Sequence, residues 1–232
     1  SERRVKAIWE VHIPMLREDL EKNPEDTHAL MFLAQSYEEV LVTPAFDEEE
    51  RKHLAREAVA LRATRMCLPG EPTEKHFCMM HLIDSARVTG DYSPEQLYEL
   101  IEQHCETDPY RPDAALLRAQ LAMTVKPMRV VYDLATHVLK VAETARSIVN
   151  TSTVDLNCVW QAHRIAAMCA RQMAAAFPNE RVDGKTMEER MQEHVQAGLD
   201  AGGPWIYFRA IITPREVTDN TPTDNNQPPE AA

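Results

Sequence analysis

Leu30-Met31-Phe32-Leu33-Ala34-Gln35-Ser36-Tyr37 carries the strongest fold signal in the chain. Leu30, Leu33, Ala34 and Tyr37 recur at three- and four-residue spacing, which puts all four on one face of a helix. Ala34 is small enough at that point for a second helix to approach closely. The stretch therefore predicts a helix packed against other helices, with its apolar face turned inward.

Composition extends that reading to the whole chain. Of 232 residues, 44 % are hydrophobic, 6 % are aromatic and only six are Gly. Leu, Ala, Met, Glu, Gln and Arg recur, and these are good helix formers. No run of alternating Val, Ile or Thr predicts a sheet, so the expected class is all-α. The formal charge is −12, from 37 acidic and 25 basic residues. Such an excess of carboxylates repels a phosphate backbone and an anionic bilayer surface, which argues against nucleic-acid and membrane partners. Five cysteines (Cys67, Cys78, Cys105, Cys158 and Cys169) are an odd number without a tight framework spacing. They read as reduced residues of a cytoplasmic protein.

Prolines and glycines divide the chain into helices. Residues 1–13 read as a lead-in ended by Pro14, after which Met15, Leu16 and Leu20 form a short apolar stripe that stops at Asn23-Pro24. The opening motif lies on a helix from about Glu25 to Val42. Asp47 caps the next, with Leu54, Ala55, Ala58 and Leu61 inward. Pro69-Gly70-Glu71-Pro72 breaks it, and Phe77, Met80, Ile83 and Ala86 mark the inner face of the following helix. Ser93-Pro94-Glu95-Gln96 is a compact start signal, with Ser as cap and Pro in the first turn. Pro112 and Pro127 open further helices, the first holding Leu116, Leu117, Ala119 and Leu121, the second Val131, Leu134, Ala135 and Val138. A loop is expected over Ile148–Thr153, then a long helix through Trp160, Ile165, Met168, Cys169 and Met173. Pro178 to Lys185 reads as a turn, and a last helix ends near Gly202-Gly203. The aromatic segment Pro204–Phe208 is expected to fold back on it. The expected organisation is thus a lead-in (1–13), a helical-repeat domain (14–212) and a disordered acidic tail (213–232).

The order apolar, Leu, small, Tyr is that of a tetratricopeptide repeat. Aligning it gives first positions at Leu30, Phe77, Leu116 and Trp160, at intervals of 47, 39 and 44 residues. These exceed the roughly 34 of a standard unit. The expectation is a diverged, tetratricopeptide-like superhelix of antiparallel helix pairs, whose units bury their faces by stacking.

The chain also resembles the helical-repeat region that follows the catalytic domain in some bacterial and phage family 2 glycosyltransferases. The resemblance rests on Met15-Leu16-Arg17-Glu18-Asp19-Leu20-Glu21, the Asn23-Pro24 turn and the helix Met31–Tyr37. It continues through a long acidic pair, a Pro-bounded pair at Asp108-Pro109-Tyr110-Arg111-Pro112 and the helix containing Trp160, spanning roughly Met15 to Gly203. It implies a catalytic domain upstream, and the start at Ser1 rather than Met raises the same expectation. The Asp-x-Asp motif that holds the diphosphate-bridging metal in such enzymes does not occur in these residues. No catalytic residue carries over; a non-catalytic module that positions an acceptor or pairs subunits is implied. A free-standing adapter that binds a peptide or protein partner is the competing reading. Neither calls for a cofactor, and self-association into a homo-oligomer is compatible with both.

Several constellations carry chemistry-bearing residue types. His76, Cys78 and His81 look like metal ligands, but at about 100° per residue His76 points roughly 200° from Cys78 and 140° from His81. They cannot converge on one ion from a single helix, and a closed zinc site needs four ligands. Glu49, His53 and Glu57 share a helix face, as solvated ladders do. Asp155, Cys158 and His163 are close in sequence without a nucleophile paired to a base. The surface expected to bind is the concave face of the stack, formed by outward positions on the first helix of each pair. Gln35, Glu38, Glu39, Asp84, Arg87, Gln120, Gln161 and Arg164 are its candidates. Their mixed polar and acidic character suits a basic peptide better than an anion. The cluster Trp205, Tyr207 and Phe208 is expected to cap the array.

Overall fold

Pro14 sits inside a helical run that begins well before it. The computed structural model describes residues 2–149 and 156–212. Helix α1 (Glu2–Ala7) passes through a π turn (Ile8–His12) into α2 (Ile13–Lys22). Pro14 lacks an N–H and its ring crowds the carbonyl four residues back. The widened turn absorbs this, with the Ile13 N–H donating to the Ile8 carbonyl five residues back. The segment expected as a lead-in is therefore helical, and Ile8, Ile13 and Leu16 are buried. Met15, expected inward, is exposed.

The following helices are α3 (Thr27–Leu41), α4 (Glu48–Cys67), α5 (Pro72–Thr89), α6 (Pro94–Thr107), α7 (Pro112–Val125), α8 (Met128–Val149), α9 (Leu156–Ala176), α10 (Met187–Asp200) and α11 (Trp205–Ile212). Their starts follow local chemistry. The Asp26 carboxylate accepts from the His28 and Ala29 amides at 3.0 Å. Asp47 with Glu50, Ser93 with Gln96 and Thr186 with Glu189 form reciprocal capping boxes. Gly90 closes α5 in the left-handed region at φ 72°, where a side chain would be strained.

The class is all-α, with each helix from α2 to α10 packed on the next. One small exception lies between α9 and α10. Arg181–Val182 (β1) and Lys185–Thr186 (β2) pair antiparallel across Asp183 (φ 50°) and Gly184 (φ 78°). Two positive φ values in a two-residue connection match the twist of a tight hairpin, and Asp-Gly supplies them. Helix α8 stays helical through Val149, where a loop was expected; the rest of that expected loop and the 213–232 tail lie outside the described residues. No described helix is long and apolar enough to cross a membrane.

Two apolar cores form along the series. The first joins Ile8, Ile13, Leu16, Leu33, Tyr37, Val40, Leu54, Ala55 and Ala58, from the N-terminal helices through the first half of α4. The second runs from Leu82 on α5 to Ile211 on α11. Ala34 is fully buried, as the opening motif required. Helix α11 returns onto α9 and drives Phe208 into a fully buried site. There a Cβ on Gly203 would stand 2.7 Å from the Phe208 ring, and one on Gly198 would meet the same ring. Both glycines are required by that close approach.

Candidate functional site

Between the two cores lies a buried polar seam. Arg62 follows Ala55 and Ala58 on the inner face of α4 and is fully buried. Its Nε and Nη2 donate to the two Glu38 carboxylate oxygens at 3.0 and 2.8 Å, tying α4 to α3. His81 Nδ1 of α5 lies 3.1 Å from the same carboxylate. Burial pushes the Glu38 carboxyl up, but hydrogen bonds from His81 and Arg62 outweigh it and hold it below its ordinary value. Phe77, expected inward, is half-exposed and lies with its ring 5.3 Å from the Arg62 guanidinium. One turn further, buried Arg65 forms an ion pair with Glu74 and donates to the Pro69 carbonyl at 3.1 Å.

Two imidazole relays tie later helices together. His76 of α5 meets Asp113 of α7 through Nε2 at 2.8 Å and His104 of α6 through Nδ1 at 2.8 Å. The Asp113 carboxylate accepts, so His76 Nε2–H donates to it, and one proton is shared between the facing His76 Nδ1 and His104 Nε2. Burial, then the neighbouring His76, lowers the pKa of His104. On α9 and α10, His163 Nδ1 and His194 Nδ1 are 3.0 Å apart, and the Tyr132 hydroxyl of α8 lies 3.2 Å from His194 Nε2. Burial, then His163, pushes His194 down to about 4.

The titratable groups are turned to partners within the helical stack. Burial drives the Cys105 and Cys169 thiols up to about 11, so both are protonated and weakly nucleophilic at neutral pH. His76, Cys78 and His81 turn to three different partners: His104 with Asp113, Arg62, and Glu38. Glu49 pairs with Lys52 at 3.1 Å while His53 is exposed. Among the described residues, no group of three His, Cys, Asp or Glu side chains is arranged to hold a metal ion. Of the Asp155, Cys158 and His163 set, Asp155 lies outside the described residues, Cys158 is buried and His163 turns to His194.

The eight surface candidates separate into distinct places. Glu38 is bound into the seam and only 14 % exposed at its side chain, so it has little to offer a partner. Gln35 donates to Glu39 at 3.3 Å, and Glu39 also accepts from Arg4 at 2.7 Å. Asp84 and Arg87 are exposed on α5 and 4.0 Å apart. Gln120 of α7 donates to Gln161 of α9 at 3.1 Å. One turn from Gln161, Arg164 lies with its guanidinium 5.0 Å from the Tyr207 ring centre, and Tyr207 stacks on Trp160 at 5.5 Å. The Arg164 Nε is buried without a hydrogen-bond partner. Gln120, Gln161 and Arg164 thus meet in one cluster, completed by the exposed Tyr207 that the sequence placed in a cap. A separate groove of about 670 Å³ lies at the N-terminal end, lined by Val5, Trp9, Val42, Pro44, Ala45 and Phe46.

Burial of His194, with His163 beside it, sets a pH dependence. His194 titrates lower in the folded chain than in the unfolded one, so the unfolded state takes up its proton first as pH falls. The stabilisation is present above the ordinary value of 6.5 and is lost progressively between there and about 4. The melting temperature of the chain should fall across that window, and His194→Gln should make the fall shallower. Equal slopes for the two proteins would rule out this assignment.

The chain matches no protein-family model and no curated protein.

Proposed function

We propose that the chain is a non-catalytic interaction module that holds an extended segment of a protein partner. Its helices make diverged, tetratricopeptide-like pairs, with α3, α5, α7 and α9 as the first members and α4, α6, α8 and α10 as the second. Support comes from Leu30, Phe77, Leu116 and Trp160, the four motif positions, which fall on those alternate helices. The observation that carries the function is the Gln120–Gln161–Arg164–Tyr207 cluster, where polar and aromatic groups from α7, α9 and α11 meet partly exposed. Amide side chains bond a peptide backbone in either polarity, and a half-exposed ring gives apolar contact without a deep pocket. The high thiol pKa values and the internal partners of the imidazoles favour this reading over a helical enzyme.

We further propose that the module serves a family 2 glycosyltransferase, positioning an acceptor or pairing subunits. The support is the sequence resemblance through Met31-Phe32-Leu33-Ala34-Gln35-Ser36-Tyr37 and the turns around it. The alternative, a free-standing adapter, shares the same binding face.

Panning a displayed random-peptide library against the chain tests the interaction reading. Enriched peptides should bind Gln120→Ala/Tyr207→Ala about tenfold or more weakly, a loss of about 1.4 kcal/mol. They should bind a variant at exposed Glu99 of α6 as they bind the original. Peptides indifferent to the double substitution, or no enrichment at all, would contradict it. Intact mass of the native polypeptide tests the enzyme association. The expected protein is longer by an N-terminal α/β domain of about 200 residues carrying Asp-x-Asp. A native polypeptide of this size would leave the adapter.

A further inference from the structure

We infer that Arg164 is the anchor for a carboxylate on the bound segment, supplied by its C-terminus or by an acidic side chain. This rests on the interaction-module reading and specifies what the α7–α9 end of the face recognises. In a chain with 37 acidic residues, Arg164 forms no ion pair with any described carboxylate. Its guanidinium is held against Tyr207, which is in turn stacked on Trp160 with 13° between the ring planes. Contact with the ring restricts the side chain before a ligand arrives, so less of its freedom is lost on binding.

The neighbouring amides complete the chemistry. Gln161 uses its Oε1 to accept from Gln120, which leaves its NH₂ group to donate. That group lies one helical turn from Arg164, on the same side of α9. The cluster accordingly offers donors: a planar guanidinium and an amide NH₂. Two parallel donors on one fork match the two oxygens of a carboxylate. A single cation balances a monoanion, and the net charge of −12 on the chain disfavours a phosphate dianion. A carboxylate-bearing occupant fits this cluster, where the sequence alone pointed to a basic peptide.

Nuclear magnetic resonance of the ¹⁵N-labelled full chain tests this. The probes are Ac-Ala-Ala-Ala-OH, Ac-Ala-Asp-Ala-NH₂, the uncharged Ac-Ala-Ala-Ala-NH₂ and inorganic phosphate, at matched ionic strength. Both carboxylate peptides should shift the Arg164 Nε–H and Gln161 side-chain amide signals saturably, and the tighter of the two identifies the source of the carboxylate. Arg164→Gln should weaken binding about tenfold or more, and Arg164→Lys should fall between because it keeps charge without the fork. Comparing carboxylate and amide peptides on the unsubstituted chain needs no variant, so an unfolded Arg164→Gln protein does not blunt the test. Equal shifts with the uncharged peptide, unmoved Arg164 signals, or tighter binding of phosphate would overturn the inference. Loss of carboxylate binding with retained, Gln120/Tyr207-dependent binding of panned peptides would overturn this assignment alone and leave the module reading standing.

Discussion

A charged guanidinium with no solvent exposure is the constraint around which the first half of this molecule is organised. Arg62 sits between an N-terminal apolar core and a larger one that begins on α5. An isolated charge there would be prohibitively costly, so the seam exists only with Glu38 bidentate to it. The pair fixes which turn of α3 faces which turn of α4, and His81 brings α5 to the same carboxylate. Apolar contacts among Leu and Ala faces tolerate sliding by a turn; a two-bond fork with one acceptor does not. The energetic value of such a pair lies less in net stability than in the cost of removing one member.

The same device recurs further along. The His76–His104–Asp113 relay crosses α5, α6 and α7, and the His163–His194–Tyr132 contact crosses α10, α9 and α8. Side chains that resemble catalytic or metal-binding sets are in this way directed to neighbouring helices, and each carries a proton arrangement that holds three helices together. What remains turned outward is a smaller group, and Arg164 stands apart within it. Its guanidinium lies over the Tyr207 ring, its Nε is unpartnered and its neighbours are amides.

Local chemistry made much of this legible. Asp47, Ser93 and the prolines at 72, 94 and 112 announce their helices, because caps and N-terminal prolines act within one turn. Ala34 announced a close helix contact and is fully buried. Pro14 does stand in the first turn of α2, but a π turn joins that helix to the one before it, so the expected lead-in is helical as well. Phe77 shares the apolar spacing of Ile83 but is held by Arg62, a partner on another helix. The hairpin was read only as part of a turn over Pro178 to Lys185; Asp183-Gly184 is the signal that could have found it. Glu38 and Glu39 differ by about 100° around α3; that single step decides between a seam and the Arg4 pair on the surface. Arg62 stands in register with Ala55 and Ala58, so a charged residue on an apolar face was visible. Its partner was not, since it lies 24 residues away.

A double-mutant cycle on Glu38→Gln and Arg62→Met, by denaturant unfolding at neutral pH, tests the central claim directly. If the pair is the seam that joins the two cores, each single substitution costs about 3 kcal/mol or more by leaving its partner buried and uncompensated. The double variant should then recover about 2 kcal/mol of the summed loss. Additivity to within about 0.5 kcal/mol would mean that the two side chains act independently, and the organisation described for α3, α4 and α5 would be wrong.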